Sequence, residues 1–72
     1  MELTSTLLVI ERLGGIIAVA ALTGRKYDAV WVWKKTGKFP SNTFLVIQNA
    51  LSEKGYTAPA SLWGMAEADQ VA

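Results

Sequence analysis

The sequence predicts a small all-α domain, a bundle of four to five helices organised around a helix-turn-helix. Three observations lead there. Residues 15–35, GIIAVAALTGRKYDAVWVWKK, divide at Thr23-Gly24 into an apolar, alanine-rich half and a half whose Val30 and Trp33, three apart, share one helical face. Apolar residues recur at helical spacing elsewhere, as Leu7, Ile10 and Leu13 and again as Phe44, Ile47 and Leu51. Gly14, Gly24, Gly37 and Gly55 each fall after such a run, where a helix stops.

In chain order, Thr4-Ser5-Thr6 supplies candidate N-caps for a first helix whose stripe is Leu7, Ile10 and Leu13 and whose stop is Gly14. Gly15 separates it from a second helix over about residues 16–22. The β-branched Ile16, Ile17 and Val19 would also suit a strand, but Ala18, Ala20 and Ala21 favour helix. This segment is apolar all round, so it is expected to be buried on most sides. Ala20 offers the small side chain that two steeply crossing helices need, and Gly24 tolerates positive φ in the turn between them.

The next helix covers about residues 27–35. Val30-Trp31-Val32-Trp33 alternates like a strand when read alone. On a helix, Val30 and Trp33 face the core with Ala29, and Trp31 points roughly the other way. An outward tryptophan there could pack on a sugar-phosphate backbone, join a dimer contact or cover a neighbouring loop.

Gly37 ends that helix and Phe39-Pro40 holds the chain extended. A further helix, expected to be the longest, starts with either Ser41 or Asn42 as cap and turns Phe44, Ile47 and Leu51 inward. Pro59 then opens a short helical turn in which Leu62 and Trp63 fold back as a hydrophobic lid, or, with Met65, form a dimer surface. Residues 66–72 are expected to fray, so residues 1–65 are the domain.

Seventy-two residues make one domain near the lower limit for a single hydrophobic core. There is no cysteine and no histidine, which removes thiolate chemistry, the commonest general base and the commonest metal ligand. No nucleophile, base and orienting group can be assembled from what is left, so an enzyme is not expected, and neither is a metal, a cofactor or a small-molecule ligand. The apolar run over residues 13–22 follows Glu11-Arg12 and is too short to span a bilayer. Ala18-Val19-Ala20 looks like a signal-peptidase site, but the acidic Glu2 and the absence of a basic leading region argue against export, and a cytoplasmic protein is expected.

The net charge of +1 conceals an asymmetry. Residues 25–38 hold Arg25, Lys26, Lys34, Lys35 and Lys38 against Asp28, or +4, whereas the remainder holds Arg12 and Lys54 against five acids, or −3. The positive charge gathers on and around the proposed second motif helix, where phosphate contacts would form. Lysines on a short helix are also often only a solvated face.

At this point the chain resembles the small DNA-binding domains of the phage Cro and repressor class, including the YdaS-like regulators. The residues that carry the resemblance are Leu13-Gly14-Gly15, Ala20 at the crossing, Leu22-Thr23-Gly24 in the turn, Val30 and Trp33 in the second helix, and KTGKFP at residues 35–40. It covers about residues 9–51. It implies a lambda-repressor/Cro-like fold with the second motif helix in the major groove. Ala20, Gly24, Val30 and Trp33 would be the motif core, and Lys26, Tyr27, Asp28, Trp31, Val32 and Lys35 would lie toward the groove.

The function expected on this reading is that of a sequence-specific DNA-binding transcriptional regulator. Arg25, Lys26, Lys34, Lys35 and Lys38 would hold the phosphate backbone, and Tyr27, Asp28, Trp31 and Val32 would face the bases. The helix departs from the usual pattern in lacking Gln, Asn, Ser or Arg to read base edges. One copy buries too little surface for tight selective binding, so a homodimer on double-stranded DNA is expected. The competing expectation is a protein-interaction module on the same scaffold that no longer binds DNA and presents Trp31 and Val32 to another protein.

Overall fold

The computed structural model describes residues 2–65, so the expected frayed tail at 66–72 lies outside the described residues. The chain forms α1 (Thr6–Arg12), α2 (Ile16–Thr23) and α3 (Tyr27–Thr36), then a 3₁₀ turn (Ser41–Thr43) leading into α4 (Phe44–Glu53), and a second 3₁₀ turn (Ala60–Trp63). It is a small all-α bundle, and the strand alternatives for α2 and α3 do not hold.

Ser5 is the cap that starts α1, its hydroxyl accepting the Leu8 amide N–H at 3.2 Å. The buried face of α1 is Thr6, Val9 and Ile10, with Leu13 half-buried. Leu7, expected on the core stripe, is instead 41% exposed. Each three-residue step falls about 60° short of a full turn, so Leu7 lies about 120° round the helix from Leu13 and cannot share its face. Thr6 does what the spacing assigned to Leu7: it is buried, and its hydroxyl donates to the Trp33 carbonyl at 3.4 Å, linking α1 to α3.

The chain turns through Gly14-Gly15, and α2 leaves at 87° to α1. The expectation that α2 is enclosed on most sides is corrected, because only Val19 is buried and Ile17 is 75% exposed. A domain this small has too few layers to surround any helix completely. No single helix among the described residues is long and apolar enough to cross a membrane.

Between α2 and α3 the backbone reverses at Gly24, at φ +70, and the amides of Gly24 and Arg25 both donate to the Ala20 carbonyl. α3 packs chiefly on α2, with Val30 and Trp33 buried and Ala29 half-buried. It stops at Gly37, whose amide donates to the Trp33 carbonyl at 2.9 Å.

Neither Ser41 nor Asn42 supplies a side-chain cap to the helix that follows. Pro40 holds the start of the 3₁₀ turn extended, and the buried Thr43 hydroxyl donates to its carbonyl at 2.7 Å. α4 is ten residues long, no longer than α3. Its inward stripe is as expected, with Ile47 and Leu51 buried and Phe44 packed against the core.

The last 3₁₀ turn closes the bundle. Trp63 lies against Phe39 with the rings tilted by 32° and meets Phe44 edge-on, each at 5.0 Å between ring centroids, and its indole N–H donates to the Thr43 hydroxyl at 3.1 Å. The Phe39 amide donates to the Leu62 carbonyl at 2.9 Å. Leu62 and Trp63 are thus buried as the lid the sequence suggests, and the alternative dimer surface is not built on them, because their apolar area is used inside the monomer.

Two further ties were not anticipated. Leu3 is fully buried, and its amide donates to the Thr57 carbonyl at 2.7 Å beside an isolated parallel bridge between Glu2 and Thr57. Gln48 donates to the Ala58 carbonyl at 2.7 Å, fastening the 56–60 segment to α4.

Candidate nucleic-acid interface

Burial of Val30 and Trp33 decides what α3 shows to solvent. At about 100° per residue, the side of the helix opposite that pair carries Asp28, Trp31 and Lys35, with Tyr27 and Lys34 on one flank and Val32 on the other. All six are exposed. Arg25 and Lys26, also exposed, lie in the turn at the N-terminal end of α3, and Lys38 is exposed just past its C-terminal glycine. Lys38 is held on an anchored backbone, since the next residue, Phe39, is buried and hydrogen-bonded to Leu62.

Among the described residues none of the five cations is in an ion pair, and neither is Asp28. The charges suit the helix as well as any ligand. Asp28 sits in the first turn and Lys34 and Lys35 in the last, which complements the helix dipole by a few tenths of a kcal/mol each. That contribution explains an acid-first, base-last order. It does not explain Arg25, Lys26 and Lys38, which lie outside the helix and extend the positive strip beyond both its ends.

Trp31 is 46% exposed and Val32 is 48% exposed. The Lys35 ammonium lies 5.4 Å from the centre of the Trp31 ring, so the lysine steadies the indole by a cation–π contact and leaves the rest of the ring open. Beside them, Tyr27 and Lys34 border a shallow groove of about 360 Å³ against Leu7 and Glu11 of α1 and Ile16 and Ile17 of α2. This groove went unnoticed in the sequence. Its signal was available: Tyr27 and Lys34 are seven apart, so they fall on one face of α3, and the bend at Gly14-Gly15 brings α1 beside that face.

The residues expected to form the motif core divide as the spacing implies. Val30 and Trp33 are buried, Ala20 packs half-buried against the core, and Gly24 makes the turn. Every buried side-chain nitrogen or oxygen among the described residues has a hydrogen-bond partner, and no trio of metal-ligating side chains converges there. Among the features facing outward, α3 and its flanks combine a cationic strip with an apolar, acid-bearing helix face.

Comparison of the chain with protein-family models, with curated proteins and with solved structures finds no match. A functional reading therefore rests on the residues and geometry of this chain.

Proposed function

We infer that the chain is a double-stranded-DNA-binding transcriptional regulator of the Cro and repressor type, acting in the cytoplasm, with α3 entering the major groove. The observation that supports this best is the exposed face of α3 bracketed by cations with no ion pair among the described residues: Arg25 and Lys26 before it, Lys34 and Lys35 in its last turn, and Lys38 beyond. A ten-residue helix is about 15 Å long, and a groove about 12 Å wide admits it. Phosphates on either side of the groove would meet the two ends of the cationic strip, which fixes register, while Tyr27, Asp28, Trp31 and Val32 lie between them toward the bases. The short turn at Gly24 between α2 and α3 fits a helix-turn-helix.

One such module offers limited contact area, so two copies on a two-fold site with half-sites about 34 Å apart would give the selectivity a regulator needs. Leu62 and Trp63, being buried, are not the surface that would join them.

Selection of bound duplexes from a random pool, followed by titration at increasing salt, tests this reading. Recovery of a two-fold symmetric site, and affinity that falls steeply with salt and weakens in Lys34→Ala/Lys35→Ala, is the expected result. A second reading, a protein-interaction module, draws on nearly half-exposed Trp31 and Val32. It gains if duplex affinity is indifferent to both salt and the two lysines.

A further inference from the structure

The outward face of α3 is specific about what it lacks. Its exposed side chains are Tyr27, Asp28, Trp31, Val32, Lys34, Lys35 and Thr36, with no Arg, Asn or Gln among them. Arginine is the usual bidentate reader of guanine, and Asn and Gln are the usual bidentate readers of adenine. The lysine nearest the centre of this face, Lys35, has its ammonium held over the Trp31 ring. Asp28, at the centre, is exposed and unpaired among the described residues. A carboxylate only accepts, so in the major groove it seeks an amino group. Adenine presents its amino group beside the N7 lone pair, which repels a carboxylate, whereas the amino group of cytosine is flanked by C5.

The neighbours of Asp28 complete the pattern. Val32 is one turn on, at i+4, and Trp31 is at i+3, so both stand about 5–6 Å from Asp28 between Cβ atoms. Successive bases of one strand are about 3.4 Å apart along the duplex axis, so the carboxylate and the two apolar side chains reach the same base or adjacent ones. An apolar surface at that depth matches the one apolar group of the major-groove edge, the C5-methyl of a pyrimidine.

We propose that α3 reads pyrimidine edges: Asp28 accepts from a cytosine amino group, and Val32, walled by Trp31, packs on a pyrimidine C5-methyl at the same or the neighbouring base. The inference rests on the DNA-binding reading and deepens it by naming the chemistry of the site. The methyl has two sources. Thymine carries it next to a cytosine, and 5-methylcytosine carries the methyl and the amino group on one base.

The experiment re-amplifies the duplexes recovered from the random pool in three forms: unmodified, with deoxyuridine in place of thymidine, and with 5-methylcytosine in place of cytosine. Binding is measured by fluorescence anisotropy with the parent protein, Val32→Ala and Asp28→Asn. Both variants change an exposed residue, and circular dichroism checks that they fold. If thymine is the source, loss of the methyl weakens parent binding about fourfold per contacted group, and Val32→Ala abolishes that difference. If 5-methylcytosine is the source, methylation tightens binding by a similar factor, again only while Val32 is present. In both cases Asp28→Asn shifts the base preferred at its position from cytosine toward adenine, because an amide offers a donor to N7 as well as an acceptor. Equal affinity for all three forms overturns the proposal while leaving DNA binding intact, and so does a methyl effect that survives Val32→Ala. Failure of every duplex to bind overturns the DNA-binding reading and this one with it.

Discussion

Thr43→Val probes the joint that closes the bundle. The Thr43 hydroxyl accepts the Trp63 indole N–H at 3.1 Å and donates to the Pro40 carbonyl at 2.7 Å, so one oxygen relays two hydrogen bonds inside the aromatic cluster of Phe39, Phe44 and Trp63. Valine keeps the shape and replaces that oxygen with a methyl. The indole N–H is then stranded in a site where Trp63 is only 4% exposed, which costs about 1–3 kcal/mol. The Pro40 carbonyl keeps the Thr43 amide N–H as a donor at 3.1 Å, while burying the added methyl returns somewhat under about 1 kcal/mol. The net loss is about 1–2 kcal/mol, a large share of the few kcal/mol expected for a domain of this size. At about 4–8 °C per kcal/mol, the melting temperature falls by about 5–15 °C.

The control is Trp63→Phe, which removes the donor. In that background Thr43→Val strands nothing and escapes the penalty of about 1–3 kcal/mol, so the double-variant cycle is non-additive by about that amount. Thermal and urea denaturation followed by circular dichroism read both quantities. A melting temperature within about 2 °C of the parent, or a strictly additive cycle, refutes the argument that this hydrogen bond holds the lid.

Three other outcomes are expected. Leu3→Ala empties a fully buried site at the bridge to Thr57 and lowers stability by about 3 kcal/mol, measured by urea denaturation; a loss under about 1 kcal/mol means the N-terminal residues are not seated in the core. Gly14→Ala costs more than Gly24→Ala: both have positive φ, +110 and +70, but a Cβ at position 14 meets the Ala18 Cβ at 3.1 Å, whereas at position 24 it meets nothing within 4 Å, so melting curves that rank them the other way contradict the packing at the α1–α2 corner. For duplex DNA, five phosphate-facing cations limit the slope of log affinity against log salt to about −4.5 per protomer, and Lys34→Ala/Lys35→Ala makes it shallower by about 2 per protomer; an unchanged slope removes these two lysines from the interface.

Much of this molecule was legible in its residues one helix at a time. The Ser5 cap, the stop at Gly37, the reversal at Gly24 and the inward pair Val30 and Trp33 all depend on interactions within about four residues, the range over which capping, propensity and periodicity act. With that pair facing inward, the helical period alone sends Asp28, Trp31 and Lys35 outward, so the candidate face of α3 could be written down before any packing was known. The charge asymmetry around it is likewise a property of the chain as a string.

Tertiary structure decided the rest, because burial depends on which element arrives from elsewhere in the chain. Leu7 and Ile17 are as apolar as their buried neighbours and are exposed, since none of the described residues covers them at the corner between α1 and α2. Leu3 is buried because the 56–58 segment comes to meet it, a contact more than fifty residues away that no local pattern encodes. Leu62 and Trp63 could serve as lid or as interface until Thr43 and Phe39 were seen to hold them. A sequence this short states what each helix can do, and the order in which its faces meet determines which of those capacities remain at the surface.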